Sequence, residues 1–166
     1  MLQRRAAAAR LLGACVLLAA LAGCATPQRG PVEPGVQVFT GRLALSVQSN
    51  PPQAFSAGFE LKGAPAAGEL NLFTPLGGTL AALAWTPESA TLRTNDGSRA
   101  FPSLEALASE VTGADLPVAA LFDWLEGKPT PVAGWQPDVS DVANGRLRAQ
   151  RSTPAPAADL RIVFEK

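Results

Sequence analysis

The sequence predicts a mainly β domain with a few helices, arranged as one curved antiparallel sheet whose concave face is partly closed by a helix pair. Three observations predict it. From residue 36 to residue 101 apolar and polar positions alternate with period two, in runs cut by turn-forming residues. From 103 to 127 the apolar period lengthens to that of a helix, and after 135 the period of two returns. Strands, then helices, then strands, with glycine at the bends, is the order of a sheet that curls around its helices.

The N-terminus stands apart from this pattern. Arg4, Arg5 and Arg10 precede an unbroken run of small and apolar residues from Leu11 to Ala22, the charge-then-apolar order of an export signal. A membrane span needs roughly 20 apolar residues, and this run is too short. Leu21-Ala22-Gly23-Cys24 follows at once and resembles the lipobox of bacterial lipoproteins. That resemblance implies cleavage before Cys24, a diacylglyceryl group on its thiol and an acyl group on the new amino terminus. Ala25 resembles the small second residue of lipoproteins released to the outer membrane. The alternative is an ordinary signal peptide with an incidental cysteine. Two or more acyl chains anchor stably where one is marginal. The chain therefore divides into a signal peptide (1–23), a lipidated N-terminus with a Pro- and Gly-rich tether (24–35) and a folded domain (36–166).

Composition narrows the chemistry. Residues 1–23 hold three of the 14 basic residues and none of the 14 acidic ones, so the mature chain is mildly acidic and carries no nucleic-acid footprint. Cys15 leaves with the signal and Cys24 is acylated, which leaves the domain no thiol for a disulfide. Histidine is absent, and with it the commonest general base and the commonest transition-metal ligand. Serine–histidine and cysteine–histidine catalysis are excluded, and no glycine-rich phosphate loop is present. Paired carboxylates remain the one route to hydrolysis. Asp115, Asp123, Glu126 and Asp138 lie near turns and on helical patterns, where capping or solvated carboxylates are ordinary. The expectation is a protein that is not an enzyme and needs no cofactor and no metal.

Within the domain, the alternation from Val36 to Val47 changes phase around Gly41, which predicts a bulge or bend there. Asn50-Pro51-Pro52 forces a turn. Phe55, Ala57, Phe59 and Leu61 then share one face of a half-buried strand. Gly63–Gly68 is a loop, Glu69–Thr74 and Thr79–Trp85 are strands around Pro75-Leu76-Gly77-Gly78, and Ala90–Thr94 and Ser98–Phe101 flank the hairpin signal Asn95-Asp96-Gly97. Ser103 caps a helix with Leu104, Leu107, Ala108 and Val111 on one stripe and Gly113 at its end. A second helix starts near Asp115 and Pro117, carries Val118, Leu121, Phe122 and Leu125, and stops at Gly127. Strands resume at Trp135–Val139, then across Asn144-Gly145 into Arg146–Arg151, and finally at Asp159–Glu165. The inward residues can fill the interior or line a hollow. Both outcomes use the same residue types, and a solid core is the commoner one.

The lipobox, the Gly41-Arg42-Leu43-Ala44 strand opening, the Phe55–Leu61 strand, Leu72-Phe73-Thr74-Pro75-Leu76-Gly77 and the Thr112-Gly113…Leu116-Pro117-Val118…Trp124-Leu125…Gly127 region together resemble the LolB family of outer-membrane lipoprotein receptors. The resemblance implies an incomplete antiparallel barrel with a helical lid over an apolar cavity. It implies a monomer that takes lipoprotein acyl chains from the periplasmic carrier LolA and places them in outer-membrane lipid. Leu76 matches the exposed leucine of the family's membrane-insertion loop. The acyl-cavity lining expected on this basis is Leu43, Leu45, Phe55, Phe59, Leu61, Leu70, Leu72, Leu83 and Trp85 from the strands. Leu107, Val111, Leu121, Phe122 and Leu125 are expected from the helices. The competing expectation is an anchored envelope binding or structural module with a solid core and no acyl ligand.

Overall fold

The computed structural model describes residues 36–112 and 116–165. The signal, Cys24, the tether, Gly113 and Asp115 lie outside them. Pro34–Lys166 forms one compact unit, and it contains every residue of the hydrophobic core, which is what a domain needs to fold by itself.

The strands are β1 (Gln37–Val47), β2 (Gln53–Gly63), β3 (Gly68–Phe73), β4 (Thr79–Thr86), β5 (Ser89–Thr94) and β6 (Gly97–Phe101), followed after the helices by β7 (Trp135–Asp138), β8 (Arg146–Arg151) and β9 (Ala158–Glu165). They form one antiparallel nine-stranded sheet in the order β6-β5-β4-β3-β2-β1-β9-β8-β7. The chain thus lays down a meander outward from β1, crosses back through two helices, and adds the last three strands on the other side of β1. The edge strands β6 and β7 do not pair with each other, so the barrel is incomplete.

The alternation in β1 has a single phase. Phe39, Leu43, Leu45 and Val47 are buried and Val38 points outward, and β1 pairs with β2 from Gln37 to Val47 without a slip. The bulge expected at Gly41 is therefore absent. The phase that places Phe39 inward runs through Gly41, and the glycine answers a different need. A Cβ there would collide with the backbone of Val163 and Phe164 on β9, so glycine lets the two strands approach. The register slip occurs elsewhere, between Leu72 and Phe73 where β3 meets β4.

Helix α1 (Leu104–Thr112) begins as its sequence predicts: the Ser103 hydroxyl accepts from the Ala106 N–H at 3.2 Å. Helix α2 (Val118–Leu125) is buried on more than one stripe, because Trp124 is fully enclosed along with Val118, Leu121, Phe122 and Leu125. The Trp124 indole N–H donates to the Thr130 carbonyl at 2.8 Å, which satisfies the one polar atom that burial would otherwise strand. β7 and β8 are joined through a 3-10 turn (Val142–Asn144) that ends on Gly145 at φ 72°. Glycine is required there by both the left-handed backbone and the nearby Phe164 carbonyl, which a side chain would strike.

Candidate functional site

The interior is not uniform. At one end of the sheet, aromatic rings meet edge to face: Phe39 lies 6.5 Å from Phe122 and 6.1 Å from Phe164, and Trp85 lies 6.2 Å from Phe122. Trp124 and Trp135 form a separate tilted pair at 6.4 Å. At the other end, where β1 finishes and β2 starts, the space between sheet and α1 is a cavity of about 720 Å³. That size falls within the roughly 300–1,000 Å³ of small-ligand sites.

Of the fourteen residues expected to line an acyl cavity, eight border this space: Leu43, Leu45, Phe55, Leu70, Leu72, Leu83, Leu107 and Val111. The other six, Phe59, Leu61, Trp85, Leu121, Phe122 and Leu125, are buried in the packed core instead. The reason lies in register. Phe59 and Leu61 oppose Gly41 and Phe39, toward the end of the sheet that α2 fills. Trp85 is drawn to that end too, its indole N–H donating to the Pro65 carbonyl at 3.1 Å. Lining residues that the sequence reading did not include are Val47, Pro52, Gln53, Ala54, Leu80, Ala81, Thr94, Asn95, Asp96, Ala108, Leu116 and Val118. Val47, Ala81, Ala108 and Val118 continue periodicities already visible in the sequence. Asn95 and Asp96 read only as a turn, and nothing local reveals that this turn borders a cavity.

The lining is aliphatic, with its polar groups gathered at Gln53 and at Thr94–Asp96. Water held against such a wall has few partners, so hydrocarbon is the favoured content. Four of the exposed large apolar residues cluster around this end: Phe55, Leu80 and Val111 line the cavity while 36–44% exposed, and Leu76 is 99% exposed. Leu76 sits in the β3–β4 connection, a turn closed within itself by the Thr74 N–H on the Gly78 carbonyl (2.8 Å), the Gly77 N–H on the Thr74 carbonyl (2.9 Å) and the Gly78 N–H on the Thr74 hydroxyl (3.1 Å).

Of the carboxylates singled out in the sequence, the three among the described residues serve local structure. Asp123 accepts from the Thr130 hydroxyl at 2.6 Å, Glu126 pairs with Lys128 at 2.6 Å and with the Gln37 amide, and Asp138 accepts from the Ser140 hydroxyl at 2.6 Å. Those hydroxyl and backbone bonds from Ser140 hold the Asp138 carboxyl below its usual range. Among the described residues no helix is long and apolar enough to cross a membrane.

The family model for outer membrane lipoprotein LolB matches residues 38–160, from β1 into β9 and across the whole cavity. The chain belongs to the LolB family. Relatives agree with this. The outer-membrane lipoprotein LolB of Cupriavidus metallidurans is 35% identical over 133 residues, covering 76% of this chain and 64% of that protein. LolB of Bordetella parapertussis is 36% identical over 119 residues, covering 69% and 60%. LolB of Bordetella petrii is 31% identical over 177 aligned positions, covering 90% and 89%. The match thus spans less than two thirds of the length of the first two relatives, and most of the third. Family membership carries the outer-membrane lipoprotein location.

Proposed function

We propose that this protein, anchored through acylated Cys24, accepts lipoprotein acyl chains from the carrier LolA in the cavity and releases them into the outer membrane as a monomer. The observation that carries the reading is the open aliphatic cavity with a fully exposed leucine on the turn beside it. A hand-over of this kind needs no base, nucleotide or metal. It needs a site that holds acyl chains better than the donor does, and a bilayer that holds them better still. Burying one leucine in lipid contributes roughly 1.5–3 kcal/mol, enough to dock the rim locally and far too little to anchor the protein. The anchor and the tip therefore have separate tasks, one keeping the domain near the membrane and the other orienting it. Nothing in the described residues favours the solid-core alternative, because the space it requires to be filled is empty of side chains.

The test is a titration of the Pro34–Lys166 unit with a fluorescent fatty acid, followed by transfer from LolA-bound lipoprotein to liposomes. Saturable binding with the emission shift of a dry site supports the reading. Absence of binding removes it. The soluble unit should bind lipoprotein without the anchor, and its failure to do so would give the N-terminal lipid a part in the pocket.

A further inference from the structure

The sheet contains a gap at the cavity end. β2 runs from Gln53 to Gly63, yet β3 pairs only with Gly58–Gly63, so Gln53–Ala57 has a sheet neighbour on its β1 side alone. At about 3.3 Å per residue the unpaired edge is roughly 17 Å long. Its five residues, Gln53, Ala54, Phe55, Ser56 and Ala57, carry no charge, although an open strand edge is ordinarily blunted by charge or covered.

The opposite bank is the end of the β3–β4 hairpin, and here the register slips. Leu72 opposes Ala81 and Phe73 opposes Thr79, which leaves Leu80 as the extra residue of a bulge. In unbroken alternation Leu80 shares a side with Ala82 and Ala84, away from the buried Ala81 and Leu83. The bulge turns it instead to line the cavity while it stays 36% exposed. Phe55 on the facing bank does the same at 37%. The Leu76 turn follows directly from this hairpin end. The gap, its two apolar banks and the exposed tip therefore share one edge of the molecule.

We infer that acyl chains leave the cavity sideways through this gap, between Phe55 and Leu80, into the bilayer that Leu76 has entered. The inference rests on the acyl-cavity reading above. It is chosen over the part of the cavity rim at the β5–β6 turn because Asp96 lies there. A carboxylate held against hydrocarbon is costly, whereas the lateral gap offers apolar side chains. Its free backbone N–H and C=O groups can pair with the ester and amide groups at the head of an acylated cysteine as the tails move ahead.

A reversible staple tests the route. The Pro34–Lys166 unit has no cysteine of its own, so Ser56→Cys with Thr79→Cys places thiols on the two banks alone. The variant is loaded with a fluorescent fatty acid, bridged by a bis-maleimide that contains a disulfide, and mixed with phosphatidylcholine vesicles. Release from the bridged protein slows by about tenfold or more, as when a gating loop is pinned, and returns to the unbridged rate once a reductant cuts the linker. Release from the bridged protein at the unbridged rate overturns the lateral route while leaving the cavity reading intact. No uptake by the unbridged protein removes the cavity reading, and this route with it.

Discussion

The two ends of this sheet are built from equally apolar residues and behave in opposite ways. Around α2, Phe39, Trp85, Phe122 and Phe164 meet edge to face, and Trp124 packs against Trp135. Beside α1, Leu43, Leu45, Leu72, Ala81 and Ala108 stand around open space. What separates a core from a site here is side-chain volume and where the helices sit, not hydrophobicity. Rings from both sheet and helix fill the gap between layers at one end, and aliphatic and alanine side chains fall short of each other at the other end. The solid end supplies the stability that the hollow end gives up.

The largest break in this contrast comes from Trp124→Ala, which opens a hole in the solid end and costs about 3–5 kcal/mol of stability. Chemical denaturation reads it. Leu45→Ala, which enlarges a space already present, should lie at or below the low end of the 2–5 kcal/mol usual for such a truncation. Equal losses for the two variants would mean the cavity is collapsed in solution.

Adding volume sharpens the contrast further. Ala149 on β8 is fully buried in the core cluster, and Ala149→Phe overpacks it at a cost of about 1–3 kcal/mol. Ala108→Phe adds the same atoms beside the cavity, with under about 1 kcal/mol lost because there is space to receive the ring. It should also lower fatty-acid affinity by about tenfold or more, a change that fluorescence titration detects. Leu76→Glu touches neither end. It changes stability by less than about 0.5 kcal/mol, leaves acyl binding in place and halts transfer into liposomes. Unchanged transfer would take the loop out of the mechanism.

The smallest effect belongs to Asp159, on the polar outer face. Burial pushes its carboxyl up, but hydrogen bonds from Gln150, Arg161 and Arg148 outweigh that and hold it below its usual range. A carboxyl lowered in the folded state stabilises above its unfolded pKa, and that contribution is lost as pH falls through the folded one. Asp159→Asn should therefore cost no more than about 1 kcal/mol at neutral pH. The difference from wild type should vanish in strong acid, as denaturation at two pH values will show.

Most of the architecture was legible because period and punctuation agree along this chain. The turns at Asn50-Pro51-Pro52 and Asn95-Asp96-Gly97, the Ser103 cap and the single-faced β2 are local signals, and each falls where it is read. The misreadings concern positions where a distant strand decides. Gly41 resembles a bulge in sequence, but it is small because β9 lies against it. The real bulge at Leu80 leaves no trace, since a leucine after Thr79 reads as one more strand residue. Trp124 lies off the apolar stripe of α2 and is enclosed by partners from beyond the helix pair, among them the Trp135 ring and the Thr130 carbonyl. For the cavity, alternation identifies which residues face inward, but how far the opposing layer stands from them is set by side chains as far apart in the chain as Leu43 and Val118. Family resemblance supplied the hollow that pattern alone left open.

Among the described residues, the hydrogen bonds of the Leu76 turn run within its own five residues, Thr74 to Gly78, so its shape does not depend on a partner. A flexible tip would lose conformational freedom on entering lipid, and that loss would be subtracted from the modest gain of burying one side chain. A pre-shaped tip keeps nearly all of that gain. The identity of its outermost residue can accordingly be exchanged to set how strongly the rim grips a bilayer, with the sheet behind it left undisturbed.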